Sequence, residues 1–143
     1  MQFQYNDGGR AEAGYKGTTG DCAVRAIAIV TGKPYQEVYD LVNQYGAMER
    51  MSKKRRSKGK SNARTGVWKE TIRKIMLNLG YKWTPTMSIG SGCKVHLRKE
   101  ELPTGRLLVN VSRHYVAVID GIVNDTYDCT RGGSRCVYGY YSL

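Results

Sequence analysis

Two residues in this chain have the type and setting for acyl-transfer chemistry, Cys22 and His114. Cys22 follows Thr18-Thr19-Gly20-Asp21 and is followed by Ala-Val-Arg-Ala-Ile-Ala-Ile-Val. Thr and Asp are N-cap residues, so the apolar run predicts a helix that starts at the cysteine. Free backbone N–H groups and the positive end of the helix dipole meet at such a first turn. Both favour the thiolate, which is the nucleophilic form of cysteine. The same N–H groups can hold an oxyanion. His114 opens the run His-Tyr-Val-Ala-Val-Ile, so it stands at the mouth of an expected buried strand. The other histidine, His96, lies among basic residues in Cys93-Lys-Val-His-Leu-Arg98.

A hairpin identifies a third group. Asp120-Gly121 is a strong type I′ turn signal between Val116–Ile119 and Ile122–Thr126. With these two residues as the loop, Ile119 faces Ile122, Val118 faces Val123, Ala117 faces Asn124 and Val116 faces Asp125. Side chains alternate faces with period two. Asp125 therefore shares a face with Val116 and His114, as the diagonal neighbour of His114 at roughly 7 Å between Cβ atoms. Asn124 points to the other face. The parity selects Asp125 as the group that orients the imidazole.

These residues need elements to position them. Residues 1–20 are polar and glycine-rich and read as an irregular lead-in. The helix after Asp21 is apolar on nearly every side, the pattern of a buried helix, and Gly32 ends it. A second helix starts at Pro34, with Tyr35, Val38, Tyr39, Val42 and Tyr45 on one face and Gly46 at its close. Thr65 caps a third, with Trp68, Ile72, Ile75, Met76 and Leu79 as its apolar face. The period then changes, and strands are expected at 106–111, 114–119, 122–126 and 136–141. Helices followed by an antiparallel sheet make an α+β domain. The 143 residues fit one domain, residues 1–143, with room for a core.

The net charge of +11 is concentrated. Arg50, Lys53, Lys54, Arg55, Arg56, Lys58, Lys60 and Arg64 lie in one stretch without an acid, and the rest of the chain is nearly neutral. This stretch predicts a basic, flexible loop at about 49–65. Such a loop suits contact with nucleic acid phosphates, a membrane surface or an acidic protein. It holds no aromatic residue to stack on bases, which argues against base-specific reading. The N-terminus does not look like a secretory signal, and no apolar run reaches the roughly 20 residues of a membrane span. A cytoplasmic protein is the expectation. The four cysteines include no CxxC pair, so no metal site is expected. Free thiols are expected of them, with a Cys129–Cys136 bridge as the alternative. Arg25, one turn after Cys22, needs a partner on an apolar helix, and Asp7 and Asp128 are candidates.

Gly20-Asp21-Cys22-Ala23 before a buried helix resembles the nucleophile segment of papain-like cysteine peptidases. It is most similar to the bacteriocin-leader (double-glycine) peptidases, where Asp-Cys-Gly-small opens the central helix. His114-Tyr-Val-Ala-Val-Ile, a turn and then Val123-Asn-Asp125 resemble their histidine strand and acid segment. The order Cys, His, Asp matches, with about 90 residues from Cys22 to His114. The resemblance covers these two short motifs. It implies a papain-like fold, no cofactor, and Cys22 as nucleophile, His114 as base and Asp125 as orienting acid. The pattern departs at one point: papain-like peptidases commonly carry a Gln about six residues before the cysteine as an oxyanion donor. Position 16 here is Lys16. Gln4, Asn6, Thr18 and Thr19 are the possible substitutes; Asn6 is preferred, because an amide on a wrapping lead-in can fold back over the site.

The expectation is a cysteine hydrolase of peptidase or isopeptidase type, acting on a peptide or protein through a thioester. Acyl transfer of the transglutaminase type uses the same order of residues. The alternative is a papain-like binding module without activity, docked on nucleic acid or an acidic partner by its basic loop. The third reading is a structural protein in which Cys22 is simply core.

Overall fold

Among the described residues, the chain forms three α-helices and a six-stranded sheet. The structure, a computed structural model, describes residues 1–17, 19–50, 59–88 and 90–143. The helices are α1 (Cys22–Thr31), α2 (Tyr35–Ala47) and α3 (Lys69–Asn78). The strands are β1 (Gln2–Tyr5), β2 (Lys82–Pro85), β3 (Arg106–Val111), β4 (His114–Ile119), β5 (Ile122–Asp125) and β6 (Val137–Ser142). Their order across the sheet is β1-β5-β4-β3-β6-β2. Among the described residues, no helix is long and apolar enough to cross a membrane.

Period-two alternation divides the apolar residues between two clusters. Leu108, Tyr115, Ala117 and Tyr141 join Val24, Ile27, Val38, Ile72 and Ile75 in the helix layer. Leu107, Val109, Val116, Val118 and Val123 face the other way, where Leu97, Leu102 and Cys129 from the connecting segments cover them. α1 is buried along most of its length and packs most closely on β4. That contact carries Cys22 to the end of the sheet where β4 begins and β5 ends.

The β4–β5 pairing is Ala117 with Asn124, Val118 with Val123 and Ile119 with Ile122. Asp120 and Gly121 both have positive φ, at 48° and 77°, as a type I′ turn requires. Gly32 ends α1 in the left-handed conformation, at φ 74°.

Several details differ from the sequence reading. The lead-in is not wholly irregular, because β1 adds to β5 in parallel and makes the sheet mixed. A second strand, β2, pairs with β6. Gly46 lies inside α2 and does not close it. A Cβ there would fall 2.2 Å from the Ser61 carbonyl oxygen, so the glycine permits close packing. α3 starts after Trp68, whose N–H donates to Ser61 Oγ at 2.7 Å and whose indole donates to the Gly59 carbonyl. Thr65 therefore sits in the preceding turn and does not cap α3. Cys93 and Cys136 form a disulfide, in place of four free thiols or a Cys129–Cys136 bridge; Cys22 and Cys129 are free.

Candidate functional site

Cys22 is the first residue of α1, half-buried. Its N-cap, Asp21, makes no side-chain capping bond, and the first turn holds no acid. The first intrahelical bond runs from the Arg25 N–H to the Asp21 carbonyl, so the N–H groups of the opening turn remain for another acceptor.

Asp21 is turned inward. Its side chain is fully buried and pairs with Arg10 Nε at 2.9 Å and Arg25 Nη1 at 3.1 Å. It also accepts the Tyr35 hydroxyl at 2.7 Å. Arg25 reaches from Asp21 toward Asp125, at 3.8 Å. The carboxylates that face Arg25 are thus Asp21 and Asp125, not Asp7 or Asp128. Asp7 caps its own turn through the N–H groups of Gly9 and Ala11, and Asp128 accepts from Thr130.

His114 is buried at the start of β4, and its Nε2 lies 2.6 Å from Asp125 Oδ2. The other oxygen of Asp125 accepts the Thr126 N–H at 2.7 Å. The Cys22 thiol lies near enough to the imidazole for the two to influence each other's ionisation, and both line one cleft. The structure therefore brings Cys22, His114 and Asp125 together in one chain of contacts. Burial disfavours a charged imidazole, but hydrogen bonds to Asp125, Cys129 and Cys22 outweigh it and push His114 up to about 12. Burial likewise raises the Cys22 thiol, while the hydrogen bond and charge of His114, the Tyr115 backbone and Arg25 bring it below the ordinary thiol range. Together these directions give a thiolate–imidazolium pair.

The sequence reading did not find Cys129. It is buried in the second cluster and contacts the imidazole from that layer. His114, Asp125 and Cys129 hold one potential metal-ligand atom each within 4.8 Å of one another, although no metal site was expected. Two of the three, His114 and Asp125, are already bonded to each other. No spacing rule links a cysteine at 129 to a histidine at 114; a fold-dependent loop brings them together.

Of the four oxyanion candidates, Gln4 is exposed on β1 opposite Asn124, and Asn6 and Thr19 are engaged elsewhere. Asn6 donates to Asn124 Oδ1 at 3.2 Å, and its own oxygen accepts the Gly8 N–H at 2.9 Å. The Thr19 hydroxyl donates to the Arg64 carbonyl. Both are engaged because the lead-in is tied to β5 and to the turn before α3. Thr18 lies outside the described residues, as do Lys53, Lys54, Arg55, Arg56 and Lys58 of the basic segment. Lys60 is exposed, and its Nζ lies 3.4 Å from the Ala47 carbonyl. His96 is set apart from the site, paired with Glu101 at 3.3 Å.

Cys22 and His114 open into a cleft of about 310 Å³. Gly20 and Ala23 form its α1 side, Thr65, Gly66, Val67 and Lys69 the opposite wall, and Asn110, Arg113 and Tyr115 the sheet side. The site thus has a thiol at a helix start, an imidazole held by a carboxylate and an open cleft beside them. No family model, curated protein or solved structure matches the chain.

Proposed function

We propose that the protein is a cysteine hydrolase of papain-like type, in which Cys22, His114 and Asp125 act on a peptide or protein acyl group. The observation that carries this reading is a single imidazole bonded to a buried carboxylate and set beside a helix-start thiol, in an open cleft.

The Cys22 thiolate attacks the carbonyl carbon, and the oxyanion forms against the free N–H groups of the first turn of α1. His114 starts as the imidazolium, so its first role is to protonate the leaving amine. It then acts as base for the water that hydrolyses the thioester. Asp125 holds the ring orientation and stabilises its charge.

The test is to incubate the protein with a mixed peptide library and identify new termini by mass spectrometry. New termini in the native protein that are lost in Cys22→Ala, with the fold retained, support the reading. Equal yields from Cys22→Ala, or none from either protein, overturn it. A second reading, a binding module without turnover, is favoured by the engagement of both Asn6 and Thr19 away from Cys22. It predicts that partner capture survives Cys22→Ala.

A further inference from the structure

One wall of the cleft has a chemistry that the triad does not use. Asn110 sits on β3 opposite Tyr115, and parity turns it to the helix side of the sheet, away from Val109 and Val111. It is only 6% exposed, yet it lines the cleft that holds Cys22. Every other buried polar side chain described above has a partner. The Asn110 amide has no protein hydrogen-bond partner among the described residues. Its polar atoms are open to the cleft and not sealed in the core, so a side chain entering the cleft can bond to them.

The rim carries two cations. Lys69 opens α3, with its ammonium 5.6 Å from the Tyr138 ring centroid. Arg113 precedes His114 in the tight β3–β4 turn and is held at φ 55°. Both are exposed, and both line this cleft. Among the described residues, no Asp or Glu lines it. Ala23 and Val67 supply the apolar part of the wall. A donor at the floor, cations at the rim and apolar sides match a short side chain that ends in a carboxylate.

We infer that the cleft beside Cys22 binds an Asp or Glu side chain of the peptide substrate, through the Asn110 amide and the Lys69 and Arg113 cations. This rests on the reading of Cys22 as the attacking group, and it names the substrate class. The apolar stem packs against Ala23 and Val67, and the carboxylate accepts from Asn110 Nδ2. Lys69 and Arg113 also draw acidic segments toward the mouth before contact.

The test uses fluorescein-labelled decapeptide pools, each fixed at one position as Asp, Glu, Ser or Lys and random elsewhere. Binding to the full-length Cys22→Ala protein is followed by anisotropy, so the result does not depend on turnover. The Asp and Glu pools are expected to bind about tenfold tighter than the Ser pool at low salt, the equivalent of about 1.4 kcal/mol. The difference should shrink as salt rises. Lys69→Glu with Arg113→Glu should reverse the order, so that the Lys pool binds best. Asn110→Leu should reduce the preference for acid while leaving the rim attraction. A matched charge control, Lys74→Glu with Lys82→Glu, should keep the preference. Equal binding by all pools, or equal loss of preference in the control, overturns the inference. Peptide cleavage with no acid preference overturns it while leaving the hydrolase reading intact. Acid-selective binding without any cleavage supports the cleft assignment and contradicts the hydrolase.

Discussion

Two buried carboxylates stand at the same end of the sheet, bridged by Arg25, and they have different work. Asp21 is enclosed by Arg10, Arg25 and the Tyr35 hydroxyl, and so anchors the lead-in and α2 to the head of α1. Asp125 gives one oxygen to His114 and the other to a backbone N–H, with Arg25 more distant at 3.8 Å. The difference teaches how to separate a structural carboxylate from a chemical one. The first is saturated by two guanidinium groups and a phenol hydroxyl. The second is spent on an imidazole, the group that would gain and lose a proton in the proposed reaction. Burial alone does not distinguish them, since both are at most 5% exposed.

The comparison can be broken from the Asp21 side first. Asp21→Asn leaves Arg10 and Arg25 without their shared counter-ion, and losing one partner of a buried pair costs about 3–5 kcal/mol. Urea unfolding should show that loss. If the protein stays folded, Cys22 should still alkylate with a near-native pH profile. Asp125→Asn should cost less, about 1–3 kcal/mol, but should act on chemistry. The His114 pKa, read by NMR, should fall from about 12 because its largest favourable contact is gone. A fall in Asp21→Asn as large as that in Asp125→Asn would erase the distinction between the two carboxylates.

Arg25→Gln should have the smallest effect. Asp21 keeps Arg10 and Tyr35, so the stability loss should be about 1 kcal/mol in urea unfolding. Arg25 is the last of the influences that lower Cys22, so the alkylation profile should move only slightly toward higher pH. A large upward move would make Arg25 a partner of the thiolate equal to His114.

The sequence made some of this legible and hid the rest, for physical reasons. Helix periodicity and Gly32 marked α1, because a buried helix and its glycine stop are local signals. Asp120-Gly121 set the hairpin register, and with it the shared face of His114 and Asp125. β1 was missed because its residues are exposed, with no alternating apolar pattern, and it is held by parallel pairing to a strand about 120 residues away. The Cys93–Cys136 disulfide, Cys129 at the imidazole and Asn110 in the cleft depend on segments that meet only in the folded chain. The oxyanion candidates Asn6 and Thr19 were plausible from the lead-in's composition, but their hydrogen bonds are taken by Asn124 and Arg64.

The most direct test is the pH dependence of Cys22 alkylation by iodoacetamide, followed on the Cys22 peptide by mass spectrometry. His114 raised to about 12 and Cys22 lowered define the window. The thiolate forms as pH rises through the depressed Cys22 value, and the imidazolium persists until pH nears the His114 value. The midpoint of the rate profile should therefore lie below the ordinary thiol pKa of about 8.5. His114→Asn should move the profile upward to that range or beyond. A native rate that climbs with a midpoint near 8.5 or above, or one unchanged by His114→Asn, would contradict the paired thiolate on which the account rests.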